Sequence, residues 1–179
     1  DVAFDKKDSL IVENILGALK NKTTLSTGDL IIAGGKMLEG TPYVANTLDG
    51  GTAEKLIINL RAPDCTTFAE NCLALARTAQ SATPNFATFV NELRSIRYRN
   101  KKLTDYSSRL HYFSDWIYNN EQKGIVKNIS CELNAVDTNF SVDFMSKHSE
   151  KYSQLKNNRK YIEAIAAQEV EISQRKQCF

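Results

Sequence analysis

The segment at residues 56–75 restricts the fold more than any other part of the chain. Residues 56–60, LIINL, have the composition of a buried strand, and a turn through Pro63 separates them from a helical pattern that begins near Cys65. Asp64 or the threonines that follow the cysteine can cap this helix. The sequence therefore predicts a strand, a tight turn and a helix with a cysteine in its first turn.

The position of Cys65 has a chemical consequence. At a helix N-terminus the free amides and the positive end of the macrodipole stabilise an anion, so a thiol there tends towards the thiolate form that attacks carbonyls. Cys65 is therefore a candidate nucleophile, although free cysteines more often act as buried, small hydrophobes. Cys72 fits that second description because it shares an apolar helix face with Phe68 and Leu75. The two cysteines lie too far apart along one helix to form a disulfide.

The composition excludes several classes of protein. A length of 179 residues suits a single domain over residues 1–179, and an apolar content of 42% is sufficient for a core. The formal net charge of +2, with acidic and basic residues interleaved, argues against nucleic acid as a partner. No apolar run approaches the roughly 20 residues that a membrane span requires. Four cysteines without a CxxC pair and two histidines argue against a zinc site, and no cofactor is expected.

Hydrophobic periodicity predicts a largely helical chain. Helices are expected over residues 8–19, 28–38, 86–97 and 159–176, in addition to the helix that begins near Cys65. Residues 124–130 resemble a strand, and residues 140–145 a second short apolar element. The glycine pair at residues 34–35 lacks a phosphate-binding pattern around it, so we assign it to close packing between helices.

Two further segments combine charged and aromatic residues. The basic cluster at residues 94–102 fits either a phosphate or nucleic-acid site or, more simply, the solvated end of a helix. Residues 106–117, YSSRLHYFSDWI, bring together an arginine, a histidine, an aspartate and four aromatic side chains. This composition is typical of a ligand-facing surface. A helix with an aromatic stripe and a histidine bonded to a neighbour is the alternative.

Three motifs in this order resemble a known family. The stretch GTPYV at residues 40–44, followed by DCTTF at 64–68, resembles the NlpC-type, papain-like cysteine peptidases that cut bacterial peptidoglycan. Together with LRSIRYR at 93–99 and SRLHYFSDWI at 108–117, the chain is similar to the bacterial N-acetylmuramoyl-L-alanine amidase-like family over about residues 30–168. The resemblance implies an α+β, papain-like fold that is helix-rich in this chain, has few strands and carries the nucleophile helix in its N-terminal half.

The resemblance also implies a chemistry and a set of site residues. The reaction would be amide hydrolysis through an acyl-enzyme on Cys65, with a histidine moving protons and polar groups holding the oxyanion. The family's active-site tyrosine corresponds to Tyr43. The remaining residues that we expect to bind substrate are Asp64, Arg109, Tyr112 and Trp116. Arg109 would pair with a carboxylate, and the two aromatic residues would stack on sugar or peptide.

The sequence departs from its relatives in one respect. In NlpC-type enzymes the catalytic histidine lies on a strand well after the cysteine, and this chain contains no corresponding motif. We expect either that the chain lacks the C-terminal part of the family domain or that His111 acts as the base, and we favour the first explanation. A shortened chain would expose a C-terminal docking face, allow association through it, and show weak or no hydrolysis.

The function therefore has three alternatives at this stage. The first is a cell-wall hydrolase that acts on peptidoglycan fragments, either as an N-acetylmuramoyl-L-alanine amidase or as a stem-peptide endopeptidase. The second is a non-catalytic remnant that binds muropeptides or a protein. The third uses the same thiol chemistry for acyl transfer. Peptidoglycan as substrate implies export to the periplasm or cell envelope.

Overall fold

The structure is a computed structural model that describes residues 2–22, 24–49, 51, 53–133, 137–138 and 140–178. It divides into two compact units. The first unit comprises Asp1–Gly50 and Lys55–Arg97, and the second comprises Gly51–Glu54 and Tyr98–Phe179. The expectation of a single domain stays a prediction, and each unit is described by itself below.

The first unit combines two short parallel strands with four helices. Its elements are β1 (Val2–Phe4), α1 (Lys6–Leu19), α2 (Thr27–Lys36), β2 (Leu56–Ile58), α3 (Cys65–Ala79) and α4 (Phe86–Arg97). The strands pair in parallel, with Val2 opposite Leu56 and Phe4 opposite Ile58. The four helices agree with the sequence predictions, and the predicted strand before Cys65 is present over three residues.

Helix α1 begins earlier than the sequence indicated. Asp5 is its N-cap and accepts a hydrogen bond from the amide of Lys7, so the helix starts at Lys6 rather than near Asp8. Asp8 is instead fully buried. Its carboxylate accepts hydrogen bonds from the amide of Leu60 at 3.0 Å and from Nε of Arg61 at 3.1 Å. Asp8 therefore ties α1 to the segment that follows β2.

The glycine pair at residues 34–35 packs α2 against α3, as predicted. A Cβ on Gly35 would lie 3.4 Å from the ring of Phe68 and 3.5 Å from Sγ of Cys72. A Cβ on Gly34 would lie 3.9 Å from Ile15 and Leu75. These are ordinary van der Waals distances, so the helices leave room for a methyl group at these two positions and for little more.

The described part of the second unit contains three helices and one pair of short strands that are far apart in the sequence. Its regular elements are α5 (Phe113–Gln122), β3 (Asp137–Thr138), α6 (Phe144–Lys147), α7 (Arg159–Ser173) and β4 (Gln177–Cys178), with 3-10 turns at Arg99–Lys101, Tyr106–Ser108, Ser130–Leu133 and Ser149–Lys151. Strands β3 and β4 pair in an antiparallel manner. A small core forms from Tyr106, Met145, Leu155 and Ile165.

The prediction of a strand at residues 124–130 is wrong. The amides of Ile125 and Val126 donate to the carbonyl of Asn120 at the end of α5, and the amide of Asn128 donates to the carboxylate of Glu121. These backbone amides therefore already have hydrogen-bond acceptors close by in the sequence, and they do not require a neighbouring strand as partner. Residues 126–129 are irregular and lead into the 3-10 turn at Ser130–Leu133.

The described residues confirm a helix-rich chain with few strands. The last helix, α7, ends at Ser173, three residues before the predicted end. Within the described part of the chain, none of the helices combines the length and the apolar character that crossing a membrane would require.

Candidate functional site

The turn between β2 and α3 is held by two asparagine side chains. Oδ1 of Asn59 accepts hydrogen bonds from the amides of Arg61 at 3.1 Å and Ala62 at 3.0 Å. Nδ2 of Asn71, in the second turn of α3, donates to the carbonyl of Asn59 at 3.2 Å. The helix is therefore fixed against the turn that precedes it, which sets the position of its first residue.

Asp64 caps α3, in agreement with the sequence prediction. Its Oδ1 accepts hydrogen bonds from the amide and the hydroxyl of Thr67, each at 2.8 Å, while the amide of Asp64 donates to Oγ1 of Thr67 at 2.9 Å. This reciprocal capping box makes Cys65 the first helical residue. The carboxylate of Asp64 thus has a structural role, and its expected contact with substrate stays a prediction.

Cys65 is exposed and lines an open groove of about 340 Å³ in the first unit. The groove is lined by Leu38, Glu39, Gly40, Thr41, Tyr43, Pro63, Asp64, Cys65 and Phe68. The thiol is thus accessible to a substrate at the positive end of a helix of 15 residues. This is the placement that a nucleophile requires.

Tyr43 reaches the same groove from the loop after α2. Gly40 has φ of +85°, a conformation that glycine adopts without a steric penalty, and it starts the loop. The amide of Val44 then donates to the carbonyl of Pro63 at 3.4 Å, which joins this loop to the turn before Cys65. The Tyr43 side chain is 67% exposed. The GTPYV and DCTTF motifs, separated by about 20 residues in the sequence, therefore meet in one groove.

Cys72 differs from Cys65 in the way the sequence predicted. It is buried in the core, and burial raises the pKa of its thiol to about 11. Both cysteines are free. The thiol of Cys72 is therefore protonated at neutral pH and inaccessible.

Arg109 is buried in the second unit and already has a partner. Its Nε lies 3.7 Å from Oε1 of Glu54, and its guanidinium group lies 5.0 Å from the ring centre of Tyr106. The bidentate contact with a substrate carboxylate that we expected would compete with this internal ion pair. That role stays a prediction, and the observed contacts favour a structural role.

His111 is half-buried, and one of its ring nitrogens already makes a hydrogen bond. Nε2 lies 2.9 Å from the carbonyl of Tyr106, so it carries the proton and donates. Burial, followed by the positive charge of Arg109, lowers the pKa of His111 to about 3. A general base is most effective when its pKa lies near the working pH. The geometry therefore weighs against His111 as the base, a role that stays a prediction.

The two aromatic residues assigned to substrate stacking also have internal contacts. The hydroxyl of Tyr112 donates to Oε1 of Glu169 at 2.5 Å and accepts from the amide of Met145 at 3.0 Å. Trp116 is buried beneath Phe113, with the rings stacked at a centroid distance of 5.4 Å. These contacts agree with the alternative of an aromatic helix face, and the stacking roles stay predictions.

Of the residues that line the groove, the sequence identifies only Tyr43, Asp64 and Cys65 as site residues, and it misses Glu39 and Phe68 among others. Periodicity places Phe68 on the apolar face of α3, but the residue is 36% exposed. The sequence signal that could have identified Phe68 is its position three residues after Cys65, because residues three apart lie next to each other on a helix surface. Among the described residues, no group of three or more His, Cys, Asp or Glu side chains is placed to bind a metal.

Comparison with known proteins gives a consistent result. A family model described as AmiA-like, N-acetylmuramoyl-L-alanine amidase-like, matches residues 33–176. An N-acetylmuramoyl-L-alanine amidase from Bacteroides uniformis ATCC 8492 has a similar structure, with a TM-score of 0.80 and 31% sequence identity over 86% of this chain and 64% of that one. None of the curated proteins matches the chain significantly.

Two other solved structures are similar. A Bacteroides fragilis protein described as a candidate xylanase has a TM-score of 0.76 and 36% identity, covering 81% of this chain and 64% of its own. A Legionella pneumophila protein has a TM-score of 0.62 at 20% identity, covering 92% of this chain and 59% of its own, which shows a shared fold alone. The chain thus spans 64% of the length of the two Bacteroides relatives.

Proposed function

Because this chain belongs to the N-acetylmuramoyl-L-alanine amidase-like family, we propose that it carries the nucleophile of a cell-wall amide hydrolase. The observation that supports this most directly is the exposed thiol of Cys65 at the capped start of α3, in a groove shared with Tyr43. The scissile bond would be the amide between N-acetylmuramic acid and L-alanine, or an amide further along the stem peptide. Such a substrate implies a location in the periplasm or cell envelope.

The first unit supplies several groups for this reaction. The thiolate of Cys65 would attack the carbonyl carbon, the C–N bond would break, and the amine would leave with a proton, giving a thioester. Water would then release the carboxylic acid and restore the thiol. The amides of Thr67 and Phe68 donate to the side chain and the carbonyl of Asp64. In the described structure the two amides before them, those of Cys65 and Thr66, have no acceptor. These two free donors would hold the oxyanion.

The base is the part of this mechanism that the described residues support least. Nε2 of His111 donates to a carbonyl, and its pKa of about 3 makes the ring a weak proton acceptor. The relatives are longer than this chain, which spans 64% of their length. We therefore place the base, together with the strands of a papain-like fold, in the part of the family fold that this chain does not span. The 179 residues alone would then hydrolyse muropeptides weakly or not at all.

An activated ester tests the nucleophile without requiring a base. The leaving group of an aryl ester needs no protonation, so a thiolate at Cys65 would be acylated even where amide hydrolysis is slow. We expect peptide mapping by mass spectrometry to locate the acyl group on Cys65, which at pH 6 should react about 10-fold faster than the same cysteine in an unstructured peptide of residues 60–70. Cys72 is buried, with a pKa of about 11, and should stay unmodified. The Cys65→Ser variant should show no rapid acylation.

Two results would overturn the proposal. Acylation of Cys65 at the rate of the unstructured peptide would show that the groove does not activate the thiol. Muropeptide hydrolysis that survives in the Cys65→Ser variant would place the nucleophile elsewhere. Hydrolysis that is abolished in both His111→Ala and His111→Gln, the second of which keeps the hydrogen bond to Tyr106 but cannot accept a proton, would instead assign the base to His111.

A non-catalytic remnant that binds muropeptides is the second candidate. The half-buried, low-pKa histidine favours it. In that case the chain would bind a muropeptide without modifying it, and Cys65 would react no faster than the same cysteine in an unstructured peptide. The acylation experiment thus separates the two functions.

We also propose that the second unit has a docking face for the rest of the family fold. One of its cavities has a volume of about 270 Å³, and its lining includes the exposed rings of Phe113 and Tyr118 together with Ile117. Uncovered apolar side chains of this kind favour association. Concentration-dependent self-association, measured by analytical ultracentrifugation and reduced in Phe113→Ser, would support this face.

A further inference from the structure

A second polar pocket lies in the second unit, on the segment between α4 and α5. Its volume is about 240 Å³, and the residues that line it are Arg99, Asn100, Lys102, Thr104, Ser107, Ser108 and Gln168. Two of these described residues are cationic, the others carry hydroxyl or amide groups, and none is acidic. A pocket of this composition attracts an anion.

Arg99 is anchored at one end and has a free donor at the other. Its Nη2 donates to Oδ2 of Asp115 at 2.6 Å, and Asp115 is almost completely buried. Its Nε is also buried and, among the described residues, has no acceptor. A buried N–H without a partner is destabilising, so a ligand oxygen at this position would relieve the cost. A guanidinium group that is held in place also loses little freedom when it binds a carboxylate.

The backbone of this segment is strained in a way that presents Lys102. Asn100 and Lys101 have φ values of 53° and 61°, both in the left-handed region that residues other than glycine rarely adopt. The amides of Lys101 and Lys102 donate to the carbonyls of Tyr98 and Arg99, which holds the turn. Strain of this kind is found preferentially at ligand-binding sites.

The other charged residues near the pocket already have internal contacts. The nearest acidic residue in the sequence, Asp105, accepts hydrogen bonds from the amide of Ser107 at 3.0 Å and from its hydroxyl at 2.7 Å. Arg109, which the sequence suggested as the carboxylate receptor, is paired with Glu54. Lys102, by contrast, is exposed at the pocket. Among the described residues that line the pocket, the positive charge outside an ion pair is therefore on Lys102, and Arg99 contributes the Nε donor that has no acceptor.

We propose that this pocket binds a carboxylate of the substrate's stem peptide, with Arg99 and Lys102 as the cationic contacts. The proposal rests on the proposed function for the identity of the ligand, because a peptidoglycan stem peptide carries free carboxylates. The basic cluster that the sequence analysis singled out would then contribute to substrate recognition and not only to a solvated helix end. The pocket would hold this carboxylate and take no part in bond cleavage.

The chain offers a matched pair of lysines for the test. Lys102 lines the pocket, whereas Lys101 is its exposed neighbour and does not. In the unreactive Cys65→Ser background, titration calorimetry with L-alanyl-γ-D-glutamate should show binding that weakens about 10-fold in Lys102→Gln and is unchanged in Lys101→Gln. The diamide of the same dipeptide should bind at least 10-fold more weakly, and added salt should weaken the free acid more than the diamide.

Several outcomes would overturn the proposal. Equal effects of Lys101→Gln and Lys102→Gln would indicate non-specific attraction, and equal binding of the acid and the diamide would exclude a carboxylate site. Binding of inorganic phosphate that depends on Lys102, without binding of the dipeptide, would assign the pocket to a phosphate ligand instead. The binding experiment uses Cys65→Ser and does not depend on any reaction at Cys65. If acylation fails but the dipeptide binds as expected, Cys65 is not the nucleophile, and the carboxylate pocket is still supported.

Discussion

The carboxylate of Glu70 accepts a hydrogen bond of 2.7 Å from Nε of Arg97, and the two side chains are 3% and 2% exposed. Nη1 of Arg97 also donates to the carbonyl of Ile57 at 2.6 Å. The pair therefore joins the helix that begins at Cys65 to α4 and to strand β2 within the first unit. Removing one partner of a buried ion pair leaves an uncompensated charge, which is strongly destabilising.

We expect Glu70→Gln to lower the free energy of unfolding by about 3 kcal/mol, because the Arg97 charge would remain buried without its counterion. Urea denaturation followed by circular dichroism measures this change. The exposed pair of Arg159 and Glu163 provides the control, since Glu163→Gln should cost less than about 0.5 kcal/mol. A cost below about 1 kcal/mol for Glu70→Gln would show that the pair contributes little.

The cap at Asp64 gives a second prediction. Asp64→Ala removes the acceptor for the amide and hydroxyl of Thr67, so it should destabilise the protein by about 1 kcal/mol. Asp64→Asn keeps an oxygen acceptor and should remain close to the parent in stability. Thermal unfolding of the three proteins measures the difference. Equal losses in Asp64→Ala and Asp64→Asn would show that the charge of Asp64, and not the cap, is what stabilises α3.

The parts of the first unit that the sequence predicted have local causes. The start of α3 follows from a proline, a capping aspartate and an apolar period, all within a few residues of Cys65. The packing of Gly34 and Gly35 follows from the absence of side chains in an otherwise apolar helix. The shared groove of Tyr43 and Cys65 was suggested by the family motifs, since no local pattern brings the two segments together.

The second unit shows where such reasoning fails. Composition at residues 106–117 was compatible with either a ligand surface or a packed helix, because arginine and aromatic side chains occur in both. The partners that decide between them, Glu54 for Arg109 and Glu169 for Tyr112, lie 55 and 57 residues away along the chain. The prediction of a strand at residues 124–130 was wrong for a related reason, because periodicity does not show that the amides of this segment donate to Asn120 and Glu121.

Two glycines in neighbouring helices should respond differently to substitution. Gly17 in α1 is exposed, and a Cβ there would have nothing within 4 Å, so Gly17→Ala should stabilise the protein by about 1 kcal/mol through helix propensity. At Gly35 a larger side chain meets Phe68 and Cys72, so Gly35→Val should destabilise by about 1–3 kcal/mol. Denaturant midpoints of the two variants should therefore shift in opposite directions. A shift in the same direction would contradict the packing of α2 on α3.

His111 makes stability depend on pH in a defined direction. Its pKa is about 3 in the folded chain because of burial and the nearby charge of Arg109, against about 6.5 for an unfolded histidine. Below pH 6.5 the unfolded state therefore binds a proton that the folded state does not accept until the pH approaches 3. The contribution of His111 to stability is thus fully present above pH 6.5 and is lost as the pH falls towards 3.

Replacement of His111 by glutamine isolates this contribution. The glutamine amide can donate to the carbonyl of Tyr106 as Nε2 does, but it has no charge to gain. Between pH 7 and pH 4.5 the parent should lose on the order of 1–2 kcal/mol more unfolding free energy than His111→Gln, after allowance for the half-exposed ring. Urea unfolding at a series of pH values measures the difference. Parallel stability curves would mean that His111 titrates normally in the folded chain, which would restore it as a candidate for the base.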